Sequence, residues 1–452
     1  MTYFVTGATG FIGRYLVQSL LQKGKGTIYV LVRPKSIGKL DELREFWGKD
    51  SLKRVVPIKG DLGLPKLGVA RGDLTKLKGK VKHFYHLGAV YDIEASAEAM
   101  EKANITGTRG ALEFAEAVNA GCFHLVSSIA AAGLYRGTFT EDMFEEAEEL
   151  EHPYHRTKHD SEAMVRANGR IPFRVYRPGA VLGHSQTGFI DKIDGPYYFF
   201  KALQKLRESW PRSIPLVGIE GGYINVVPVD FVVDALVHLS HQPKLDGRCF
   251  HLTDPKARRV GEVLNVFARA AHAPEMAFRL DPKVFAMVPE PVTQSVQRSK
   301  PIQNVFNQLL RDLQVPRSVL QFVNYPTRFD STATQKILDK AKIRVPALED
   351  YAWRLWDYWE RHLDPDLSID RSLQGAVKGK VVMITGGSSG IGEAAAIRIA
   401  EAGGKVLVVA RDEEKLAEVR RKITDAGGFV KTYSCDITEY AANDKLAKDV
   451  LK

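Results

Sequence analysis

Short apolar runs rich in β-branched residues alternate with amphipathic stretches over about the first 180 residues. The runs at 3–6, 27–32, 54–58, 83–86, 123–126 and 173–176 predict strands. Between them, apolar positions recur at helical spacing, notably over 12–22, 95–118 and 155–167. Strand–helix alternation of this kind gives a parallel sheet with helices on both faces, a doubly wound α/β fold of Rossmann type. From about 185 to 345 the alternation loosens and prolines accumulate, which predicts a lobe added to that sheet. Within it, 283–326 collects large apolar residues such as Phe285, Met287, Phe306 and Phe322 among prolines and basic side chains. It reads as a lid packed on the core or as an apolar entry for a long-chain ligand, resting on a membrane surface. Tyr351, Trp353, Trp356 and Trp359 lie on one closing helix, where packing is the expected role. The first domain therefore spans 1–363, a linker 364–378, and an incomplete second domain of the same type 379–452.

Both domains open on a glycine-rich strand-to-helix turn. Thr6-Gly7-Ala8-Thr9-Gly10-Phe11-Ile12-Gly13 follows the first strand, and Thr385-Gly386-Gly387-Ser388-Ser389-Gly390-Ile391-Gly392 follows an apolar run at 380–384. Such turns bring a dinucleotide pyrophosphate against backbone N–H groups at a helix N-terminus. Gly7 permits the tight turn, Gly10 a close phosphate, and Gly13 the packing of helix on sheet. Thr6, Thr9, Phe11 and Ile12 complete the expected cradle. The second strand ends in Arg33, with Lys35 following. An acidic residue there suits the ribose diol of NAD, and a cation suits a 2′-phosphate, so NADPH is the expected cofactor. Asp61, with Leu62 beside it, is placed to accept from the adenine amino group, and Leu87-Gly88-Ala89 lets backbone run along the cofactor. His86 is expected to be structural. The second domain repeats the set with Gly386, Ser388, Gly390, Ile391, Gly392, Arg411 and Asp436, but it has only about 70 residues in all. That is too few for a complete doubly wound domain, so the chain reads as truncated, with an unpaired sheet edge.

Composition narrows the class without choosing the ligand. Hydrophobic residues make up 44% and charged residues 26%, which is the balance of a globular protein with buried cores. Cys122, Cys249 and Cys435 lie far apart, which argues against disulfides or a zinc ribbon and for a reducing compartment. The net charge of +10 is scattered, without the basic-aromatic stripe of a nucleic-acid face. A phosphate-rich cofactor or substrate, or an acidic membrane surface, would use such an excess. No metal-binding spacing occurs, and no apolar run has the length of a membrane span.

The chemistry is expected at Tyr154 and Lys158, one helical turn apart. An ammonium and a positive nicotinamide ring beside the phenol would stabilise its phenolate and lower its pKa. Tyr154 would protonate a carbonyl oxygen as hydride reaches the carbon; Lys158 would tune it and hold the nicotinamide ribose. Tyr197 and Lys201 have the same spacing, but they follow the sixth strand, beyond the expected catalytic helix. Ser128 ends the fifth strand, at the carboxyl edge where open α/β sheets bind ligands, 26 residues before Tyr154. It would hydrogen-bond the substrate oxygen; Ser127 lies deeper. Pro178, Gly179 and Val181, in Arg177-Pro178-Gly179-Ala180-Val181-Leu182-Gly183, close the cofactor side.

Together these motifs, with Asn104-Ile105-Thr106-Gly107-Thr108 and Val227-Pro228-Val229-Asp230, resemble the extended short-chain dehydrogenase/reductase family. The resemblance implies a catalytic triad of Ser128, Tyr154 and Lys158 and a structural Asn104. The tail resembles the ordinary short-chain dehydrogenases, whose catalytic residues would fall beyond Lys452. The fused order is similar to bacterial alcohol-forming fatty acyl-CoA reductases of the wax-ester pathway. That likeness implies NADPH-dependent reduction of a long-chain acyl-CoA to aldehyde and then alcohol, with the first domain taking the aldehyde step. It also implies a cytoplasmic homo-oligomer able to contact a membrane. The alternatives are a sugar-nucleotide epimerase or dehydratase, a carrier-protein thioester reductase, and an NADP-sensing module without turnover.

Overall fold

Tyr3–Thr6 forms the first strand, β1, and every residue in it is buried. Phe4 faces one side, among Phe84, Phe114 and Phe123; Tyr3 and Val5 face the other, with Tyr85, Leu16 and Val30. Burial on both faces is what makes such a strand read as a continuous apolar run. Six more strands join it: β2 (Ile28–Val32), β3 (Val55–Lys59), β4 (His83–His86), β5 (Cys122–Val126), β6 (Phe173–Pro178) and β7 (Cys249–Leu252). They order as β7-β6-β5-β4-β1-β2-β3, and every neighbouring pair is parallel. The direction of winding reverses between β1 and β4, which opens a crevice at their carboxyl ends. This computed structural model describes residues 1–90, 95–191, 193–210, 216–280, 325–368, 370 and 372–451. The fold is the Rossmann-like one of the extended short-chain dehydrogenases and reductases.

Helix α1 (Phe11–Lys23) buries Phe11, Tyr15, Leu16, Val17, Leu20 and Leu21 against the sheet. The stretch 95–118 is one helix by pattern, but the structure breaks it into Ala97–Glu101, a π turn at Lys102–Thr106, and α2 (Gly107–Ala117). The break centres on buried Asn104. Its amide oxygen accepts the Val90 N–H at 2.8 Å, and its amide nitrogen donates to Val90 O and to Thr157 Oγ1, both at 3.0 Å. A wider turn aims that amide inward, at the loop after β4 and at the helix carrying Tyr154.

The second half of the unit adds α3 (Pro153–Asn168), α4 (Val229–His241), α5 (Val260–Ala270) and α6 (Leu348–His362). Trp356 and Trp359 of α6 pack on Phe200 at ring separations of 5.2 and 5.5 Å. Tyr351 is buried as well, whereas Trp353 is 52% exposed, so three of the four aromatics have the packing role and the fourth does not. The predicted lid, 283–326, lies outside the described residues except for Tyr325 and Pro326. Among the described residues no helix is long and apolar enough to cross a membrane.

The chain divides into two compact units, Met1–Leu363 and Asp364–Lys452. The stretch read as a linker carries a 3-10 turn at Pro365–Ser368 and a short helix at Leu373–Val377. Ser372 Oγ caps that helix by accepting the Gly375 N–H at 3.2 Å. The second unit then builds β8 (Val381–Thr385), β9 (Lys405–Ala410) and β10 (Phe429–Ser434), parallel and in that order. Helix α7 (Gly390–Glu401) and the helix Glu413–Asp425 cover it through Ala396, Ala400, Leu416, Val419 and Ile423. Val381 and Met383 of β8 stay 63% and 45% exposed on one face of the sheet, and β8 is an edge strand of the three.

Candidate active site

A cavity of about 890 Å³ follows the crevice between β1 and β4 and continues into the second half of the unit. Gly7, Thr9, Gly10, Phe11, Ile12 and Gly13 line it, as do Arg33, Lys35, Asp61 and Leu62. Leu87, Gly88, Ala89, Ser128, Tyr154, Lys158, Pro178, Gly179 and Val181 line it too. Residues distant in sequence, and named from sequence alone, thus share one wall. Thr6 is the exception. It lies beneath the turn, fully buried, with its hydroxyl against His86 Nδ1 at 2.8 Å and accepting the Gly88 N–H at 3.2 Å. His86 Nε2 meets Thr108 Oγ1 at 3.1 Å, and burial pulls the imidazole down to about 3. This histidine is structural, holding β4 to β1.

The turn fits a dinucleotide on its own geometry. A Cβ on Gly13 would lie 2.0 Å from Gly7 O, so that glycine serves the packing of helix on turn. A Cβ on Gly10 would meet only Gly7 O, at 3.3 Å, and Gly10 is exposed to the cavity. Its missing side chain therefore leaves room for a ligand rather than for the protein. Gly10 also starts α1 with no side-chain cap, so the first-turn N–H groups face the cavity, as an anion requires. Asp61 spends one carboxylate oxygen on the Gly63 N–H at 2.9 Å, which fixes the loop after β3.

Helix α3 presents the reactive pair. Pro153 sets its first turn, and His152 Nδ1 caps it by accepting the Tyr154 N–H at 3.1 Å. Tyr154 therefore sits at the helix start, over the cavity, with Lys158 one turn on and its Nζ 5.9 Å from the phenol centroid. Ser128 Oγ accepts the Ala130 N–H at 3.2 Å and stands close enough to the Tyr154 hydroxyl to favour its phenolate. Burial pushes the phenol up to about 12, outweighing Ser128, and the Asp194 carboxylate adds to the rise. Desolvation thus outweighs the neighbouring groups at this phenol, and Lys158 is not among the causes of its shift; the expected lowering drew on a nicotinamide ring as well as on Lys158. Burial likewise pulls the Lys158 ammonium down to about 8.

The same helix is pinned from behind. Glu162, one turn beyond Lys158 and fully buried, accepts from Arg177 Nε and Nη2 at 3.0 and 2.6 Å, Arg166 Nε at 2.8 Å and Ser127 Oγ at 3.2 Å. Burial pushes its carboxyl up, but the two guanidiniums outweigh that and hold it below the usual range. Ser127 is thereby committed to Glu162, while Ser128 faces Tyr154. Tyr197 is 1% exposed, and its hydroxyl accepts the Gly183 N–H at 3.0 Å, which makes it a structural tyrosine.

Sequence reasoning missed the far wall, built by Phe199, Tyr223, Val263, Tyr325, Thr327 and Phe329. These residues come from separate segments with no shared spacing, so no motif could have grouped them. In the second unit Arg411 pairs with Asp436 at 3.7 Å, and Ile391 is 91% exposed. Gly386, Ser388, Gly390 and Gly392 form the corresponding turn there, outside the cavity of the first unit.

The fold and the lined crevice define an NAD(P)-binding protein of the extended short-chain type. The male sterility protein family matches residues 5–236, and a short chain dehydrogenase family matches 380–452. The chain belongs to the male sterility protein family. It is 32% identical over 268 residues to a linear gramicidin synthase protein of Brevibacillus parabrevis, covering 56% of this chain and 5% of that one. Glycine betaine reductase ATRR of Emericella nidulans is 25% identical over 99% of this chain and 36% of its own length. The putative fatty acyl-CoA reductase CG8306 of Drosophila melanogaster is 28% identical over 55% of this chain and 58% of its own. The chain thus spans less than two thirds of each of these relatives. Among solved structures, the terminal R domain of the myxalamid PKS-NRPS pathway superposes with a TM-score of 0.62 at 25% identity, covering 80% of this chain and 90% of that one. UDP-glucuronic acid 4-epimerase of Bacillus cereus shares the fold at a TM-score of 0.54 and 18% identity, over 81% and 99% of the two chains.

Proposed function

We propose that the first unit is an NADPH-dependent reductase of long-chain acyl substrates, taking a fatty aldehyde to the alcohol. The observation that carries this reading is that Tyr154, Ser128 and Lys158 line the same cavity as Gly10 and Arg33. NADPH, when bound, supplies a hydride to the carbonyl carbon. Tyr154 gives its proton to the carbonyl oxygen, and Ser128 donates a hydrogen bond to that oxygen as it gains charge. Lys158, charged below about pH 8, stabilises the phenolate left on Tyr154 until solvent reprotonates it. Reduction should therefore slow as pH rises through about 8, and Lys158→Arg should move that fall upward. Arg33 and Lys35 are the cations for a 2′-phosphate, and Asp61 the acceptor for the adenine amino group. Phe199, Val263 and Phe329 give the far wall the apolar surface that a long chain needs.

A second reading places an acyl thioester at the same tyrosine, reduced to the aldehyde. It is favoured by the likeness to a terminal R domain and to an archaeal thiolation-reductase di-domain. In either case we assign the remaining step of a two-step reduction to the second unit, which matches a short chain dehydrogenase family over 380–452. NADPH oxidation with decanal and palmitoyl-CoA offered separately, against Tyr154→Phe, tests both readings. Decanal turnover lost in the variant supports aldehyde reduction; palmitoyl-CoA turnover lost as well places the thioester step at Tyr154. No turnover of either overturns the proposal.

A further inference from the structure

His251 is a fully buried titratable side chain that the reduction chemistry does not use. It lies on β7 beside Arg177 of β6, its partner in the parallel pairing of those strands. Arg177 Nη1 donates to the Met143 carbonyl at 3.1 Å and reaches His251 Nε2 at 3.3 Å. A guanidinium can only donate, so Nε2 is the bare nitrogen and Nδ1 carries the proton. That N–H donates to the carbonyl oxygen of Asp330 at 2.7 Å. Burial, with the Arg177 charge, pulls the imidazole down to about 3, which keeps this neutral form at neutral pH.

Asp330 closes a segment of the cavity's far wall, in which Thr327 and Phe329 are lining residues. Arg328 and Phe329 pair in parallel with Thr138 and Phe139. The imidazole meets the Phe329 ring edge-on, with centres 5.6 Å apart and planes at 87°. Phe139 packs against both, 6.4 Å from each. At the other end Arg177 grips Glu162 of α3 through Nε and Nη2, one turn beyond Lys158. A buried line of hydrogen bonds thus runs from the helix that carries Tyr154, through Glu162, Arg177 and His251, to the backbone behind Phe329. Other ties of the wall segment, Asp330 N–H to Phe139 O at 3.0 Å and Thr327 Oγ1 to Tyr135 O at 2.6 Å, run to the neighbouring loop, whereas His251 ties it to the sheet. Water cannot replace either bond of a fully buried ring, so losing one leaves a buried polar group unpaired.

We propose that His251 is a positioning residue that holds the Phe329 wall in register with the helix carrying Tyr154, and thereby sets a preference for long aldehydes over short ones. This rests on the aldehyde reading of the first unit. A chain long enough to lie on Phe329 gains from the place of that wall. A short one, held only at its carbonyl, does not.

The test measures KM and kcat for decanal and butanal in the intact chain and in His251→Leu, His251→Asn and His251→Gln, with NADPH affinity and melting temperature reporting the fold. Asparagine keeps a donor near the place of Nδ1, and glutamine keeps an acceptor near the place of Nε2. His251→Leu is expected to raise KM for decanal about tenfold, with kcat and the KM for butanal within about twofold of the unaltered values. His251→Asn should restore the KM for decanal, and His251→Gln should not; this pair carries the test if the leucine variant fails to fold. Equal changes with both aldehydes, or a fall in kcat with KM unmoved, would overturn the proposal, because the residue would then serve the fold or the chemistry. Rescue by glutamine instead, by both or by neither overturns it too, since the bond to Asp330 would not be the one that matters. Calorimetric binding of decanol in the presence of NADP⁺ reads the wall without turnover. Decanol binding weakened by the same factor in His251→Leu supports the proposal even where decanal is not reduced, an outcome that overturns the reductase reading alone. Decanol binding that is unchanged, or absent from the intact chain, overturns the proposal, while decanal turnover leaves the reductase reading standing.

Discussion

At Gly13 and at Gly392 an added Cβ would strike the carbonyl oxygen of the glycine six residues earlier, at 2.0 Å in the first unit and 2.3 Å in the second. The closure of each turn on its own helix is therefore the same. The surroundings are not. A Cβ on Gly7 would also lie 2.8 Å from Gly88 N, because β4 runs alongside β1; on Gly386 it would meet nothing within 4 Å. Arg33 lines a deep cavity and pairs with no carboxylate among the described residues, whereas Arg411 is drawn to Asp436. A glycine spacing encodes a turn. A binding site needs the strands that wall it, and here those are β4, β5 and β6.

The contrast can be broken most directly by catalysis. Tyr154→Phe should lower decanal turnover by about 10²–10⁴-fold, the usual worth of a positioned general acid, and Gly390→Ala should leave it nearly unchanged. Decanal turnover that follows Gly390 instead would move the site to the second unit. Next, Arg33→Ala should weaken NADPH binding by about tenfold to a hundredfold, the worth of a hydrogen bond to a charged group, with little effect on NADH. Arg411→Ala should change neither, since an exposed ion pair contributes about 0–1 kcal/mol; fluorescence titration of both coenzymes checks the pair.

The turns themselves separate by stability. Gly7 and Gly386 have φ of +73° and +67°, so alanine is strained at both. Gly7→Ala adds a clash with backbone, and should cost about 2–3 kcal/mol against about 1 for Gly386→Ala. Urea melts of each variant would show it.

The two units also differ in mild acid. All twelve histidines lie in the first unit. Burial pulls His86 and His251 down to about 3 and His83 to about 4. His83 Nδ1 meets His124 Nε2 at 2.9 Å between β4 and β5, and His124 is lowered by burial as well. Folded-state values below the ordinary 6.5 mean that these groups contribute stability above that pH and lose it as pH falls toward 4. The first unit's melting temperature should drop across that window while the second unit's holds; equal losses would place the cause elsewhere.

The central strands were legible because they are short runs buried on both faces, so that β1 and β4 match their sequence pattern residue for residue. The glycines, Arg33, Ser128, Tyr154 and Lys158 were legible because their chemistry depends on local spacing and on the carboxyl ends of strands. Asn104 shows the limit: its helix pattern is unbroken, and only Val90 and Thr157, brought in by the fold, open the π turn. Tyr154 shows another, since its identity marks it as the acid but its rise to about 12 comes from burial among segments far away in sequence. What the chain's local pattern determined was the set of elements and the reacting groups, because hydrophobic period and turn chemistry act over a few residues. What only the tertiary structure decided was the apolar far wall and the difference between two like turns. Those depend on which distant side chains share a wall, and on how far water is excluded from it.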